Sequence, residues 1–366
     1  MKIKKLRIEN FKGVKSCEID FTSPFGSSPR TLTALVGDNG SGKTSVLQAI
    51  ALIISIATRR TRNPAELRWL GFRADRLGTL GKTRVEIEIS FSEDELQATQ
   101  ELYEQWQDPA IFSRPPSREP LVQLIFENGR VTSPQGAAAY FQFFGRYYIK
   151  TRLEMQPELR SYFRRVGDVF WFDQLRNLGS KLEERRQTQS HEGDDFEPVV
   201  VKVESWTAGV EQLREDLVHW WGYHTSPQKD VHRDFLARVE PYLDLIFPGT
   251  KFSGVSPRNT ASLGRPDFDF LFERGGITYD LAELSSGEQA VFPLLSEFVR
   301  LEIARSLVLI DELELHLHPP QQQALLGALR KLGPDCQFIV TTHSPYLTDV
   351  IPDEEIVRLE GGQSCT

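Results

Sequence analysis

A glycine-rich stretch near the N-terminus, residues 37–44 (GDNGSGKT), has the residue types and spacing needed to bind phosphate groups. It matches the pattern GxxxxGK[ST] between a short apolar run and a segment predicted to be a helix, residues 43–58. The glycines allow backbone N–H groups to turn toward phosphate oxygens. Lys43 is expected to reach the β- and γ-phosphates, and the Thr44 hydroxyl to bind Mg²⁺. The predicted nucleotide-binding residues are Asp38, Asn39, Gly40, Ser41, Gly42, Lys43, Thr44 and Ser45, with Lys12 from the N-terminal strands.

A second candidate site follows the apolar run Leu307–Ile310, which ends in Asp311 and Glu312. Such a strand is typical of a parallel sheet buried on both faces, and ligands bind at the carboxyl ends of these strands. Asp311 is expected to hold Mg²⁺, directly or through water. Glu312 is expected to be the general base for a water molecule that attacks the γ-phosphate.

Residues 284–289 (LSSGEQ) lie at the start of a predicted helix, and two interpretations are open. The segment could be an ordinary N-cap with Glu288 in the first turn. Alternatively, its hydroxyl and N–H groups could bind an anion, which makes Ser285, Gly287 and Glu288 candidate nucleotide-binding residues.

Four motifs in this order, GDNGSGKT, LSSGEQ, VLIDE and TTHSP, resemble those of ABC-type ATPases of the SMC and RecF branch. The opening segment IKKLRIENFKGVKSCEIDF is similar to the first strands of that branch. DELELHLHP, residues 311–319, looks most like the ATPase modules of OLD proteins and of Septu-like phage-defence systems. The resemblance covers about residues 1–92 and 265–360. The chain departs from it in having LSSGEQ for LSGGQ, and in lacking a long heptad region between the halves.

The resemblance implies roles for several further residues. His343 would be a catalytic switch histidine that hydrogen-bonds the γ-phosphate and the attacking water. Gln174, with Gln142 as the alternative, would bind Mg²⁺ at the junction of two lobes. His316 and His318 have spacing compatible with a zinc site, but the family's LHLHP segment accounts for both and places them at a dimer seam.

The resemblance also implies an assembly and a function. Ser285 and Gly287 would complete the ATP site of a second copy, giving a Mg²⁺-dependent ATPase that closes as a homodimer, or a higher homo-oligomer, around ATP. It would drive a protein effector encoded nearby, in bacterial anti-phage defence. The alternative is a RecF-like repair or replication ATPase that binds DNA directly. A transporter ATPase fits poorly, because 242 residues separate Lys43 from Ser285. A nuclease domain in the same chain is not expected.

The elements that must position these residues form an α/β fold. Alternating apolar residues predict two N-terminal strands, a strand at 85–91, a hairpin turning at Asn128–Gly129, and strands from 268 to 281. The last hundred residues alternate strand, helix and strand, which predicts a parallel core sheet. We therefore expect an ABC-ATPase head with a mixed N-terminal sheet. The predicted parts are 1–92, an inserted, mainly helical lobe at 93–264 that contains a hairpin, and 265–366.

Composition limits the partners. The 366 residues include 43 basic and 51 acidic ones, a net charge of −8, which argues against a surface that is basic overall. Two basic stretches, residues 59–84 and 146–165, are candidates for nucleic-acid contact. Three scattered cysteines indicate neither a disulfide framework nor a zinc hook. With no apolar run long enough to span a bilayer and no secretory signal, a cytoplasmic protein without membrane contact is expected.

Overall fold

The structure is a computed structural model, and it describes most of the chain. The described residues are 1–67, 69, 71–79, 81–105, 115–173, 210–230, 233–258 and 268–360, together with the backbone of 364–365. Gln174 and the polar segment 183–198, which the sequence predicts to be a loop, lie outside these residues.

Strands and helices alternate along much of the described chain. The strands are β1 (Lys2–Phe11), β2 (Val14–Asp20), β3 (Leu32–Val36), β4 (Arg84–Ser90), β5 (Leu121–Glu127), β6 (Arg130–Thr132), β7 (Val169–Phe172), β8 (Thr250–Pro257), β9 (Phe268–Arg274), β10 (Ile277–Asp280), β11 (Leu307–Ile310), β12 (Gln337–Thr342), β13 (Ile356–Glu360) and β14 (Ser364–Cys365). The helices are α1 (Lys43–Ala57), α2 (Glu93–Gln105), α3 (Ala138–Phe141), α4 (Gly145–Arg152), α5 (Val210–His224), α6 (Phe235–Ile246), α7 (Ser286–Arg300), α8 (Pro319–Leu332) and α9 (Pro345–Thr348).

The core is a six-stranded sheet with the order β14-β13-β3-β12-β11-β7. Strands β13, β3, β12, β11 and β7 pair in parallel, as predicted, and β14 pairs antiparallel with β13. Successive residues of β11 enter different hydrophobic clusters, Val308 and Ile310 on one face and Leu307 and Leu309 on the other. Burial on both faces explains why this strand is apolar throughout.

An antiparallel sheet, β2-β1-β4-β5-β6, lies on one side of the core. Its apolar residues alternate with polar ones and share a hydrophobic cluster with α1, which is buried on nearly all sides. The predicted hairpin is confirmed, since Asn128 and Gly129 have φ values of 51° and 76° between β5 and β6. This hairpin pairs through β5 with β4, so it extends the N-terminal sheet.

Residues 93–264, expected to form an inserted lobe, contribute strands to sheets that are shared with the two flanking parts of the chain. Strand β7 pairs with β11 in the core sheet, and β8 pairs with β9 across residue 264. Sequence periodicity identifies a strand but not its neighbour, which explains the difference. Helix α6 begins after Asp234, whose carboxylate accepts the Ala237 N–H.

The cysteines differ from expectation in one respect. Cys17, in β2, is disulfide-bonded, whereas Cys336 is a free, buried thiol. Burial raises the pKa of Cys336 to about 11.

Among the described residues, no helix is long and apolar enough to cross a membrane.

Candidate nucleotide-binding site

The predicted phosphate-binding loop connects β3 to α1. Gly42 has a φ of 101° and directly precedes the helix, a conformation that side-chain-bearing residues rarely adopt. A Cβ atom on Gly37 would lie 2.5 Å from the Leu359 carbonyl oxygen and 2.7 Å from the Ser41 Oγ. Gly42 is therefore favoured by its own backbone conformation, and Gly37 by the close approach of Leu359 and Ser41. The start of α1 presents free N–H groups, as an anion-binding helix terminus does.

Lys43 is held by the loop that it follows. Its Nζ donates to the carbonyl oxygens of Gly37 at 2.7 Å and Asp38 at 2.9 Å. The side chain is buried, while Asp38, Asn39 and Gly40 are exposed. These two hydrogen bonds hold the ammonium group inside the loop, where it is oriented before a phosphate group binds.

Thr44 and Asp311 meet although 267 residues separate them. The Thr44 Oγ1 lies 3.0 Å and 2.9 Å from the two carboxylate oxygens of Asp311. Thr341, in the neighbouring strand β12, donates its hydroxyl to Asp311 Oδ1 at 2.6 Å. A hydroxyl and a carboxylate side by side are the hard oxygen ligands that Mg²⁺ prefers, so these residues fit the predicted metal role.

Glu312 follows Asp311 in a left-handed conformation, with φ of 50°. Such a conformation costs about 1–3 kcal/mol outside glycine and occurs frequently at functional sites. The Glu312 N–H donates to Thr341 Oγ1 at 2.7 Å, which helps to hold this backbone geometry. Thr341 therefore fixes both acidic residues at once.

His343 directly follows β12, the strand that contains Thr341, at the same edge of the sheet. Its Nδ1 lies 2.8 Å from Glu314 Oε1, and its backbone N–H donates to the same oxygen at 2.7 Å. Glu314 is buried and His343 is 56% exposed. The buried carboxylate thus fixes one ring nitrogen and leaves the exposed side of the imidazole for a ligand.

Lys12 lies at the same edge. Its Nζ donates to Gln48 Oε1 at 2.5 Å, and Gln48 belongs to α1. Burial lowers the pKa of Lys12, and the negative charge of Asp311 opposes that shift. The turn between β1 and β2 therefore places a second ammonium group near the carboxylate of Asp311.

The LSSGEQ segment forms an N-cap with both reciprocal bonds. Ser285 Oγ accepts the Glu288 N–H at 3.4 Å, and Glu288 Oε2 accepts the Ser285 N–H at 2.9 Å and hydroxyl at 2.6 Å. Glu288 is buried and also accepts a bond from the Tyr279 hydroxyl. Its carboxylate therefore positions Ser285, as the N-cap interpretation predicts, and a nucleotide contact of Glu288 stays a prediction. Ser285 is exposed, and among the described residues it forms no hydrogen bond with the loop at 37–44.

Gly287 lies in close contact with the segment that follows β11. A Cβ atom on Gly287 would lie 3.0 Å from the His316 carbonyl oxygen. His316 has φ of 60° and is exposed, as is His318 at the start of α8. The LSSGEQ segment therefore packs against His316, which lies four residues after Glu312 in the chain.

The two glutamine candidates have different outcomes. Gln174 lies outside the described residues. It follows β7, where Phe172 accepts the Asp311 N–H at 2.8 Å, so the chain leaves β7 beside Asp311. Gln142 is buried, and its side chain donates to Thr99 in α2.

The basic stretches are used largely within the fold. Arg146 is fully buried and donates to four carbonyl oxygens, those of Phe163, Val166, Leu301 and Glu302. Six others form ion pairs with acidic side chains: Arg60, Arg73, Lys82, Arg84, Arg160 and Arg165. These partners take up part of the charge of the two stretches, whereas Arg59, Arg62 and Arg76 are exposed. Nucleic-acid contact by the two stretches therefore stays a prediction.

Thr341 and Glu314 were not predicted as site residues. The available signals were their positions, Thr341 two residues before His343 and Glu314 two residues after Glu312. Their roles depend on hydrogen bonds between residues 29 or 30 positions apart, which spacing alone does not reveal.

Two family models match this chain. Residues 139–349, more than half of the chain, match the family described as "AAA domain, putative AbiEii toxin, Type IV TA system". Residues 1–110 match the family described as "AAA ATPase domain". Together the matches contain every nucleotide-site residue discussed above.

Curated relatives match over different lengths. The retron Vc95 probable ATPase of Vibrio cholerae is 22% identical over 91% of this chain and 69% of its own length. The retron Ec83 probable ATPase of Escherichia coli is 31% identical over 38% of this chain and 26% of its own. The Septu protein PtuA of Bacillus mycoides is 25% identical over 98% of this chain. This chain spans 40% of that PtuA, so these relatives include long parts that it does not match.

A solved structure supports the fold. The SMC head bound to the C-terminal winged-helix domain of ScpA aligns over all of this chain and 98% of its own, with a TM-score of 0.51 and 15% identity. The predicted fold class, an α/β ATPase head of the SMC type, is confirmed by this likeness.

Proposed function

We propose that this chain, an ATPase that belongs to the family described as "AAA domain, putative AbiEii toxin, Type IV TA system", closes as a dimer around ATP and thereby drives a protein effector in anti-phage defence. The observation that carries the dimer proposal is the exposed Ser285 at the start of α7. Its hydroxyl is fixed by Glu288, and among the described residues it forms no hydrogen bond with the phosphate-binding loop of its own chain.

The residues at the edge of the core sheet support the hydrolysis part. Backbone N–H groups of the loop and Lys43 would bind the phosphates of ATP. Thr44 and Asp311 would hold Mg²⁺, which when bound neutralises phosphate charge. Glu312 would accept the proton of an attacking water, and His343 would donate a hydrogen bond to the γ-phosphate.

The assembly follows from the position of LSSGEQ. The N-terminus of the 15-residue helix α7 carries a partial positive charge and exposed hydroxyl groups from Ser285 and Ser286. In a two-fold dimer, this terminus would face the γ-phosphate bound by the other copy. ATP would then stabilise the closed dimer, whereas ADP lacks the phosphate group that bridges the copies.

The relatives support the effector and the pathway. Retron and Septu proteins match most of this chain, and this chain spans 69% and 40% of two of them. We assign the downstream activity that ATP binding and hydrolysis would control to a separate effector protein. Direct DNA binding, the RecF-like alternative, has less support because many arginines of the two basic stretches are already paired.

Sedimentation velocity tests the dimer. The Glu312→Gln chain should bind ATP without hydrolysing it, because the amide retains the shape of the carboxylate but not its basicity. We expect a larger or more compact species with Mg-ATP than with ADP, and loss of that difference when Ser285→Arg is added. Ser161→Arg, at an exposed position of the short 3-10 helix Pro157–Arg164, is the matched control.

Two results would contradict the proposal. A sedimentation profile that is unchanged across apo, ADP and ATP conditions would rule out ATP-dependent closure. A Ser285→Arg chain with wild-type ATPase activity and assembly would remove the role of LSSGEQ. If a pull-down with this chain as bait recovers the same partner protein equally with ADP and with trapped ATP, ATP-dependent control of the effector would be contradicted.

A further inference from the structure

A cavity of about 680 Å³ lies at the edge of the core sheet opposite the nucleotide site. It is bounded by α6, by the ends of α7 and α8, and by residues 303–305 and 334–335, which precede β11 and β12. The nucleotide site lies where these strands end. A strand of four to six residues separates the two edges by about 13–20 Å. The cavity is therefore distinct from the predicted ATP site, and its volume is within the range of small-molecule sites.

The charges that line the cavity do not balance. Its two acidic residues already face arginines: Glu302 Oε1 lies 2.5 Å from Arg160, and Asp335 lies 3.8 Å from Arg305. Arg305 also pairs with Asp94 at 2.8 Å. Each carboxylate in the lining thus has an arginine partner.

Three further cations remain. Arg164, Arg238 and Lys331 line the cavity, and within the described part of the chain none of their side chains forms a hydrogen bond or ion pair. Arg238 is half-buried. Burial lowers its pKa against the attraction of Glu302, and the charges of Arg160 and Arg164 lower it further. A half-buried guanidinium beside other cations is unfavourable unless an anion joins it.

Backbone conformation marks the same cavity. Glu302, Arg305 and Asp335 all have positive φ values, 47°, 50° and 59°. They are three of the nine non-glycine residues with positive φ among those described. Lys12, Glu312 and His316, in or beside the nucleotide site, are three of the others. Residues in this conformation cluster at functional sites.

The remaining walls are apolar or aromatic. Tyr242 and Pro241 from α6 face Phe298, Val299 and Leu332 from the ends of α7 and α8. A ligand for this cavity would therefore combine an anionic group with a flat or apolar one. We propose that the cavity binds a phosphorylated small molecule of the mononucleotide class, with the phosphate at Arg238 and Arg164 and the base against the apolar wall.

The test separates this site from the phosphate-binding loop by using the Lys43→Ala chain. The probes are AMP and inorganic phosphate, measured by isothermal titration calorimetry. We expect AMP to bind at least about ten-fold more tightly than phosphate, because only AMP contacts the apolar wall. Adding Arg238→Gln should weaken AMP binding at least about ten-fold, since a charge-assisted hydrogen bond is lost. Arg130→Gln, an exposed arginine on β6, is the matched control and should have no effect.

Folding of each variant is checked by circular dichroism. If Arg238→Gln does not fold, Arg164→Gln, an exposed position on the cavity rim, takes its place with the same expected loss. The proposal is overturned if AMP does not bind the Lys43→Ala chain at millimolar concentration. It is also overturned if phosphate binds as tightly as AMP, or if the cavity variant and Arg130→Gln bind AMP equally.

Discussion

Replacing Thr341 with valine should impair hydrolysis without removing ATP binding. The Thr341 hydroxyl donates to Asp311 Oδ1 at 2.6 Å and accepts the Glu312 N–H at 2.7 Å. Thr341 is fully buried, and valine has nearly the same shape, so the substitution removes two hydrogen bonds and little else. The loop around Lys43 makes none of its described contacts with Thr341.

The magnitude follows from the two bonds. A hydrogen bond to a charged group contributes about 1.5–3 kcal/mol, and an unsatisfied buried N–H costs about 1–3 kcal/mol. The N–H left unsatisfied is that of Glu312, and its hydrogen bond to Thr341 supports the left-handed backbone conformation of Glu312. If about 1.4–2.8 kcal/mol of this appears in the transition state, kcat falls by about 10- to 100-fold. KM for ATP should change little.

Steady-state ATPase kinetics on purified protein measure this directly. Thr341→Ser is the matched control, because serine retains the hydroxyl and should keep kcat within about three-fold of wild type. A Thr341→Val enzyme with a normal kcat would refute the conclusion that this hydroxyl holds the two acidic residues in place. A raised KM with unchanged kcat would also refute it.

Two further predictions concern buried groups. Glu314→Gln should lower kcat by about ten-fold with little change in KM, because the imidazole of His343 loses its charged partner. In a His343→Ala background, Glu314→Gln should have almost no further effect on kcat. Additive losses of kcat in this double-mutant cycle would contradict the pairing of Glu314 with His343. The free energy of unfolding should fall as the pH rises from about 9 toward 11, because folding raises the pKa of Cys336 to about 11 and only the unfolded thiol ionises in that window. Denaturant unfolding at several pH values should show a smaller decrease for Cys336→Ala, and an equal decrease would exclude this contribution.

The sequence by itself determined the local parts of the nucleotide site. Gly42, Lys43 and Thr44 belong to a turn and a helix start that lie within eight consecutive residues, and the φ of 101° at Gly42 favours glycine there. The apolar strand ahead of Asp311 is equally local. Such features are predictable because backbone conformation and burial on both faces restrict the residue types at adjacent positions.

The tertiary structure decided which of these elements are neighbours. Residues 169–172, inside the expected insertion, lie beside β11 in the core sheet, and Arg146 is buried among carbonyl groups rather than exposed on a basic surface. Thr341 contacts Asp311 across 30 residues, and Thr44 contacts it across 267. Periodicity specifies which face of an element is buried, but a strand of suitable pattern can pair with several partners. The choice among them, and with it the cavity at the opposite sheet edge, depends on packing of the whole chain.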